Sequence, residues 1–329
     1  MNARPLASVS LDLDDQWTYM KTHGDPAWTS FPSYLDVFVP RVLGALDVLG
    51  LRITFFVVGQ DAALPRNHET LRAICDRGHE VGNHSFTHEQ GIEFFSRERV
   101  RREVQETTEA ITRATGQEPK GYRGPGFSWN RDLLEILAEG GYVYDASTLP
   151  TYIGPLARFY YFRTASITRE EMEQRRNLFG GFRDGFRPIN PYRWNLGPER
   201  SLLEIPVTTI PGIKTPFHLS YLLYLSRYSS WLMSAYLDTA LALCRITGTE
   251  PSFLLHPLDL IGPDQAPELA FFPGMDLSAA HKMRVFHRVL GEMAKRFTIV
   301  TMSEHARQIA YRNPPLRNVD KPRQDEAAA

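Results

Sequence analysis

The stretch ASVSLDLDD, residues 7–15, combines the pattern of a buried strand with a cluster of acidic residues. Its first seven residues have the character of a buried strand, yet it ends in three carboxylates, Asp12, Asp14 and Asp15. Buried carboxylates without partners are costly, so such a cluster needs a cation, a proton or solvent. Two interpretations follow. The stretch ends either in a solvated turn where one aspartate caps the next element, or in a site where carboxylates share a divalent cation.

Seven further runs with strand character follow, and helical patterns separate most of them. Apolar strands that alternate with helices are typical of parallel strands covered by helices. Eight such units in 329 residues predict an α/β fold, a distorted TIM-like (β/α) barrel. The further runs are LRITFFVVG (51–59), HEVGNHS (79–85), GYRGPG (121–126), YVYDAS (142–147), LLEIPVT (202–208), SFLLHPL (252–258) and FTIVTM (297–302).

The chain is predicted to hold a single catalytic barrel domain over residues 1–311. A long insertion, residues 151–201, separates the fifth and sixth strands and is rich in arginine and aromatic residues. An apolar helical segment at 217–247 contains charged residues and is too broken for a clean transmembrane span. The polar, proline-containing stretch 312–329 is predicted to be a disordered tail.

Bulk charge excludes one class of partner. The chain has 37 Lys+Arg against 38 Asp+Glu, so no basic field favours nucleic acid. Acidic residues precede any apolar run near the N-terminus, so no secretory signal peptide is predicted. We therefore expect a cytoplasmic location.

The sequence GNHSFTHE supplies a pair of histidines, His84 and His88, directly after a short strand. Active sites of α/β barrels are built at the carboxyl ends of their strands. Two imidazoles and one carboxylate leave a fourth position open, as in catalytic zinc sites. Arg123, Asp145 and His256 follow three other predicted strands. Taken singly they read as a surface cation, a helix cap and a core histidine, but together they fit one hydrolytic site.

These motifs, in this order, resemble the polysaccharide deacetylases of the NodB-homology type, carbohydrate esterase family four. The resemblance spans about residues 8–147 and 250–310 and implies the NodB type of distorted barrel. The sequence departs from the family pattern at Gln16, at Phe127 and after Asp145, which predicts an altered substrate groove. Five motifs carry the resemblance: Asp14–Asp15, His84-Ser85-Phe86-Thr87-His88, Arg123-Gly124-Pro125, Asp145 and Leu254-Leu255-His256.

The resemblance implies a divalent metal, most consistent with zinc, held by Asp15, His84 and His88. Asp14 is then the base that deprotonates the attacking water, and Arg123 keeps Asp14 ionised and oriented.

The same resemblance makes His256 the acid that protonates the departing amine. Its orienting partner is either Asp145 or Asp259, and the sequence leaves both open. Further residues are predicted to bind substrate: Leu254 at the acetyl methyl, Trp17 and Pro125 along the groove, and Arg175 and Arg176 at a phosphate.

The sequence thus predicts a metal-dependent hydrolase that removes an N-acyl group, most simply acetyl, from an amino sugar in a saccharide or glycolipid precursor. The arginines of the insertion and the apolar segment favour a polyprenyl-phosphate-linked substrate at the inner face of the membrane. Two alternatives stay open. One is an allantoinase-like cytosolic amidohydrolase acting on a small ureide, and the other is a non-enzymatic sugar- or lipid-binding protein with a vestigial metal site.

Overall fold

The computed structural model describes residues 4–154 and 181–320. Its strands are β1 Leu6–Leu13, β2 Thr54–Val57, β3 Glu80–Asn83, β4 Gly121–Tyr122, β5 Tyr144–Asp145, β6 Tyr192–Asn195, β7 Ser201–Glu204, β8 Ser252–Leu255, β9 Thr298–Val300 and β10 Leu316–Asn318. Its helices are α1 Gln16–His23, α2 Leu35–Leu49, α3 Gly59–Ala63, α4 His68–Asp76, α5 Arg97–Thr115, α6 Arg131–Glu139, α7 Leu219–Ser226, α8 Ser230–Thr247, α9 Ala279–Arg296 and α10 Met302–Tyr311.

The strands form a mostly parallel sheet in the order β10-β6-β7-β5-β4-β3-β2-β1-β8, with β9 also paired to β1. The pair β6–β7 is antiparallel. Beyond β7, the Thr208 N–H donates to the Ser252 carbonyl at 3.0 Å, which links this end of the sheet to the start of β8. The strand pairs within the described ranges do not themselves complete a closed barrel. The prediction of an α/β fold with mainly parallel strands is confirmed.

Strand β1 separates an apolar face from a polar one because successive side chains point to opposite sides of a sheet. Its odd-numbered residues join the core between the sheet and the helices: Ala7, Val9, Leu11 and Leu13. The even-numbered residues lie on the other face, where Ser8 hydrogen-bonds His305 and Asp12 pairs with Arg123. The polar face leads directly to the functional residues.

Two strands lie outside the eight predicted runs, β6 and β10. Strand β10 falls in the stretch 312–329, so the prediction of disorder is wrong for residues 312–320, while 321–329 lie outside the described residues. It pairs with β6 through backbone groups, as in the Arg193 N–H to Pro315 carbonyl bond of 2.9 Å. Its side chains are exposed, so the sequence carries no apolar signal for it.

The apolar segment 217–247 forms α7 and α8, which bury one side against the core. Among the residues described, no helix is long and apolar enough to cross a membrane. Of the predicted insertion 151–201, residues 155–180 lie outside the described ranges, and the remainder includes β6.

Candidate active site

The site is assembled where neighbouring parallel strands end. Asp12 and His256 directly follow the last register pair of β1 with β8. His84 and Arg123 follow the register pair of β3 with β4 in the same way. Because carboxyl ends of parallel strands meet at one edge, residues far apart in sequence become neighbours.

Asp14, His84 and His88 form a buried cluster whose ligand atoms all lie within 4.8 Å of one another. The Oδ1 atom of Asp14 is 3.2 Å from Nε2 of His84 and 2.9 Å from Nε2 of His88. A tetrahedral ion with zinc-like bond lengths separates its ligand atoms by roughly 3.3 Å. The spacing of this cluster is therefore close to that of a catalytic metal site.

Hydrogen bonding within the cluster tests whether a cation fits. Asp14 Oδ1 is buried and has no hydrogen-bond partner in the described structure. Nδ1 of His84 lies 2.7 Å from the Arg123 carbonyl, so it carries the proton and leaves the Nε2 lone pair for a metal. Two imidazole nitrogens and an ionised carboxylate fit a divalent cation.

The structure places Asp15, the predicted ligand, outside this cluster. Its Oδ1 accepts hydrogen bonds from the N–H groups of Gln16 at 2.8 Å and Tyr34 at 3.0 Å, so it caps the start of α1. Burial raises the pKa of Asp15 to about 6 and also raises that of its neighbour Asp61. The prediction that Asp15 is the carboxylate of the metal site is therefore wrong, since the candidate cluster contains Asp14 instead.

Arg123 pairs with Asp12. The sequence analysis predicts Asp14 as its partner. Its Nη1 lies 3.1 and 3.3 Å from the two carboxylate oxygens of Asp12, and Nη2 donates to Ser10 at 3.3 Å. Both members of the ion pair are buried. Arg123 therefore pairs with Asp12, the carboxylate beside the candidate metal cluster, and the prediction that it orients Asp14 is wrong.

His256 takes Asp259 as its partner, which resolves the alternative left open by the sequence. Asp259 Oδ2 accepts the backbone N–H of His256 at 2.9 Å and lies 3.8 Å from the ring Nδ1. Burial lowers the pKa of His256, but Asp259 outweighs burial and raises it to about 9. The imidazole is therefore protonated near neutral pH.

Asp145 supports the Arg123 turn instead of contacting His256. Its Oδ1 accepts the Ser147 hydroxyl at 2.5 Å, and that hydroxyl accepts the Gly124 N–H at 2.8 Å. Burial raises the pKa of Asp145, and burial together with the charge of Asp145 raises that of Glu204 beside it. Asp145 thus acts through the loop that carries Arg123.

The loop that carries both histidines has a strained backbone. Ser85 and His88 adopt positive φ angles of 60° and 53°, a region that side chains other than glycine rarely occupy. The buried carboxylate of Glu103 in α5 accepts the N–H groups of Phe86 at 2.8 Å and Thr87 at 2.9 Å, and the Thr87 hydroxyl at 2.7 Å. Glu103 therefore fixes the loop that carries the candidate metal ligands His84 and His88.

Removing this clamp should weaken both the fold and the metal site. Glu103→Ala leaves two backbone donors without their acceptor, and we expect a loss of about 2–4 kcal/mol in the free energy of unfolding. Supporting groups around metal ligands are typically worth about 10–100-fold in affinity, so zinc should bind that much more weakly. Denaturant titration and competitive zinc titration measure the two effects. Glu106→Ala, an exposed site on the same helix, is the control, and equal values for both variants would contradict the clamp.

The predicted substrate-binding residues divide into three groups. Trp17 is a packing residue, since it is buried and its indole N–H donates to Asp61 at 2.8 Å. Leu254 and Pro125 are buried at the ends of β8 and β4, and their roles toward substrate stay predictions. Arg175 and Arg176 lie outside the described residues.

The sequence analysis assigned no role to two residues that the structure places at the site. Asp12 pairs with Arg123, and Glu103 holds the loop that carries both histidines. A signal for Asp12 was available. Ser8, Ser10 and Asp12 alternate with apolar residues, and this period of two sets them on the opposite face from the helix-packed core. Glu103 had no such signal, because nothing local distinguishes it from the other acids of a charged helix.

Comparison with known proteins identifies the part of the chain that carries most of these residues. Residues 8–144 match the family model described as polysaccharide deacetylase. This segment belongs to the polysaccharide deacetylase family. The predicted resemblance is confirmed, and Asp12, Asp14, His84, His88 and Arg123 all lie within the deacetylase segment.

The regions that align with curated relatives make up only part of each relative's length. A peptidoglycan deacetylase of Helicobacter pylori is 30% identical over 128 residues, which are 39% of this chain and 41% of that protein. A chitooligosaccharide deacetylase of Sinorhizobium fredii is 34% identical over 106 residues, 32% of this chain and 48% of that protein. The chain thus spans less than half of the length of either relative.

Solved structures extend the likeness over nearly the whole chain. A Mycobacterium smegmatis structure described as a polysaccharide deacetylase covers 98% of this chain and 99% of its own, with a TM-score of 0.61 and 21% identity. A second, from Pseudomonas aeruginosa, covers 93% and 90%, with a TM-score of 0.56 and 19% identity. At these identities the likeness shows that the deacetylase fold is shared.

Proposed function

We propose that the protein is a divalent-metal-dependent hydrolase that removes an N-acetyl group from an amino sugar. The observation that carries the proposal is the cluster of Asp14, His84 and His88 next to the Asp12–Arg123 pair. Family relatives named as peptidoglycan and chitooligosaccharide deacetylases support an N-acetylated saccharide as substrate. The donor set of two imidazoles and one carboxylate favours zinc as the cation.

The residues around the cluster supply the proton transfers that amide hydrolysis requires. When bound, the cation polarises the amide carbonyl and lowers the pKa of water toward neutrality. Asp12 accepts the proton of the attacking water, and its pairing with Arg123 at 3.1 Å keeps it oriented for that task. Arg123 also holds His84 through its carbonyl, so base and ligand are fixed by one residue.

Departure of the amine needs a proton, because an unprotonated amine is a very poor leaving group. His256 donates that proton, since Asp259 keeps its pKa raised to about 9 and the ring charged near neutral pH. The charges of Asp12 and Asp14 also help to raise the pKa of His256, which supports a shared reaction centre for the acid and the base. A protein that only bound sugars would need neither group.

Release of acetate and free amine from a substrate panel tests the proposal. The panel contains chitooligosaccharides, peptidoglycan fragments, nucleotide-linked and polyprenyl-phosphate-linked N-acetylamino sugars, and allantoin. We expect turnover of at least one amino sugar, its loss in chelator and its recovery with zinc. Turnover of allantoin alone would support the ureide hydrolase instead, and binding of sugars without any turnover would support the vestigial site.

A finer proposal concerns the carrier and the location: the substrate is linked to a polyprenyl phosphate at the cytoplasmic face of a membrane. Support comes from three exposed aromatic residues around the junction of α7 and α8: Tyr224 in α7, Tyr228 in the turn and Trp231 in α8 are 55%, 68% and 78% exposed. Tryptophan and tyrosine favour the membrane interface. We expect the protein to co-sediment with lipid vesicles and Trp231→Ser to reduce this binding. Absence of vesicle binding by the wild type would count against a membrane location.

The pairing of His256 with Asp259 predicts a pH dependence. Because the pKa of His256 is raised to about 9, the acid is present below that pH and is lost as the pH rises through it. Asp259→Asn removes the main source of the rise while its side chain can still accept the His256 N–H. The alkaline limb of kcat/KM should therefore move to lower pH by about one unit or more.

A pH profile of kcat/KM at saturating zinc measures this shift. The control is Asp264→Asn, which neutralises an exposed acid on the same loop. It should leave the alkaline limb of kcat/KM in place. An alkaline limb that stays fixed in Asp259→Asn would show that Asp259 does not set the charge state of His256.

A further inference from the structure

His218 lies beside the proposed acid, yet neither the motifs nor the mechanism uses it. It directly precedes α7, and its ring centroid is 6.0 Å from that of His256. Its ring also packs edge-on against Tyr221, with centroids 4.7 Å apart. It is not one of the three residues of the candidate metal cluster. The ring therefore sits on the leaving-group side of the site.

Stability does not explain a histidine at this position. The residue is only 7% exposed, and its Nδ1 is buried without a hydrogen-bond partner in the described structure. Its side chain also makes no capping bond to α7. By contrast, the buried His305 places its two ring nitrogens 2.9 Å from Ser8 and 3.2 Å from Glu250. A buried polar atom without a partner costs free energy, so an apolar ring would be more stable here.

The surroundings of His218 keep its ring neutral. Burial, the charge of His256 and the charge of Arg123 lower its pKa to about 3, and Asp259 opposes them only in part. A neutral imidazole offers one donor and one acceptor, which matches a hydroxyl group. It cannot serve as a second acid near neutral pH.

We propose that His218 is a substrate-positioning residue that hydrogen-bonds a hydroxyl of the sugar ring carrying the scissile amide. The inference rests on the proposed amino-sugar deacetylase activity and names the part of the substrate that this residue recognises. His256 protonates the nitrogen attached to that ring, so a neighbouring side chain on the same side meets the sugar rather than the acetyl group. The cost of an unpaired imidazole in the free protein is offset when the substrate hydroxyl binds.

Two variants and two substrates test the assignment. Acetate release is measured from N-acetylated chitotetraose and from an N-acetylated alkylamine without hydroxyls, with zinc bound. For His218→Phe, kcat/KM on the sugar should fall about tenfold, mainly through KM, as expected for one lost hydrogen bond. Its melting temperature should not fall, because phenylalanine leaves no unpaired polar atom. His218→Asn keeps a donor and an acceptor and should recover most of the loss.

Binding of N-acetylated chitotetraose to the slow Asp12→Asn variant, measured by calorimetry with and without His218→Phe, gives a readout that needs no turnover. About tenfold weaker binding with His218→Phe supports the contact. Unchanged binding and unchanged kcat/KM on the sugar overturn it while leaving the deacetylase proposal intact. Failure of the wild type to release acetate from any amino sugar overturns both.

Discussion

Replacing Asp14 with Asn is expected to strip zinc from the protein and to lower turnover by roughly three orders of magnitude or more, because a charged ligand of the catalytic cation is lost. Asp14 is the one carboxylate among the three residues of the cluster, and its Oδ1 lies 2.9 and 3.2 Å from the two imidazole nitrogens. His84→Ala and His88→Ala should give the same result. Metal content after gel filtration and acetate release measure it.

Asp15→Asn is the matched control, one residue further along the chain. Asn retains an oxygen that can accept the Gln16 and Tyr34 N–H groups, so the cap of α1 persists. We expect one zinc per chain and a loss of stability within about 1 kcal/mol. If Asp15→Asn lost zinc and Asp14→Asn kept it, Asp15 would be the ligand.

The second large effect concerns proton transfer. General acid and base groups each contribute about 10²–10⁴-fold, so Asp12→Asn and His256→Ala should each lower kcat by that factor. Neither residue belongs to the metal cluster, so zinc content should stay near that of the wild type. Single-turnover kinetics and metal analysis on the same samples separate chemistry from metal loss.

The control for Asp12→Asn is a variant that removes an uncharged hydrogen-bond partner of Arg123. Ser10→Ala deletes the hydroxyl that accepts from Nη2 at 3.3 Å and keeps the charged pair. Its kcat should fall by a few-fold at most, since a neutral hydrogen bond contributes about 1 kcal/mol. Near-wild-type rates for Asp12→Asn would show that another group accepts the proton of water. Asp12→Asn leaves the buried Arg123 without its charged partner. Circular dichroism checks that this variant is still folded.

The sequence by itself predicted elements that depend on local signals. All eight runs with strand character contain a strand, because continuous apolar runs between helices mark buried parallel strands. Ser96, Asn130 and Thr301 cap their helices through their own side chains, and such caps depend on residues close in sequence. The H-x-x-x-H pair was recognisable because both ligands lie in one loop.

Only the tertiary structure decided which aspartate does what. After Leu13 the chain turns sharply, and the Asp14 N–H donates to the Asp12 carbonyl at 2.9 Å, so strand alternation no longer determines where the next side chains point. Asp12 then meets Arg123, Asp14 meets the histidines, and Asp15 caps α1. The partners of Asp12 and Asp14 lie far away in sequence, and Arg123 is 111 residues from Asp12.

Glu103 follows the same rule. This charged residue on α5 acquires its role only when packing places it against the loop that carries both histidines. Local sequence sets the elements because backbone propensity and side-chain periodicity act over a few residues. The site depends on contacts between strand ends, and those contacts exist only once the sheet has formed.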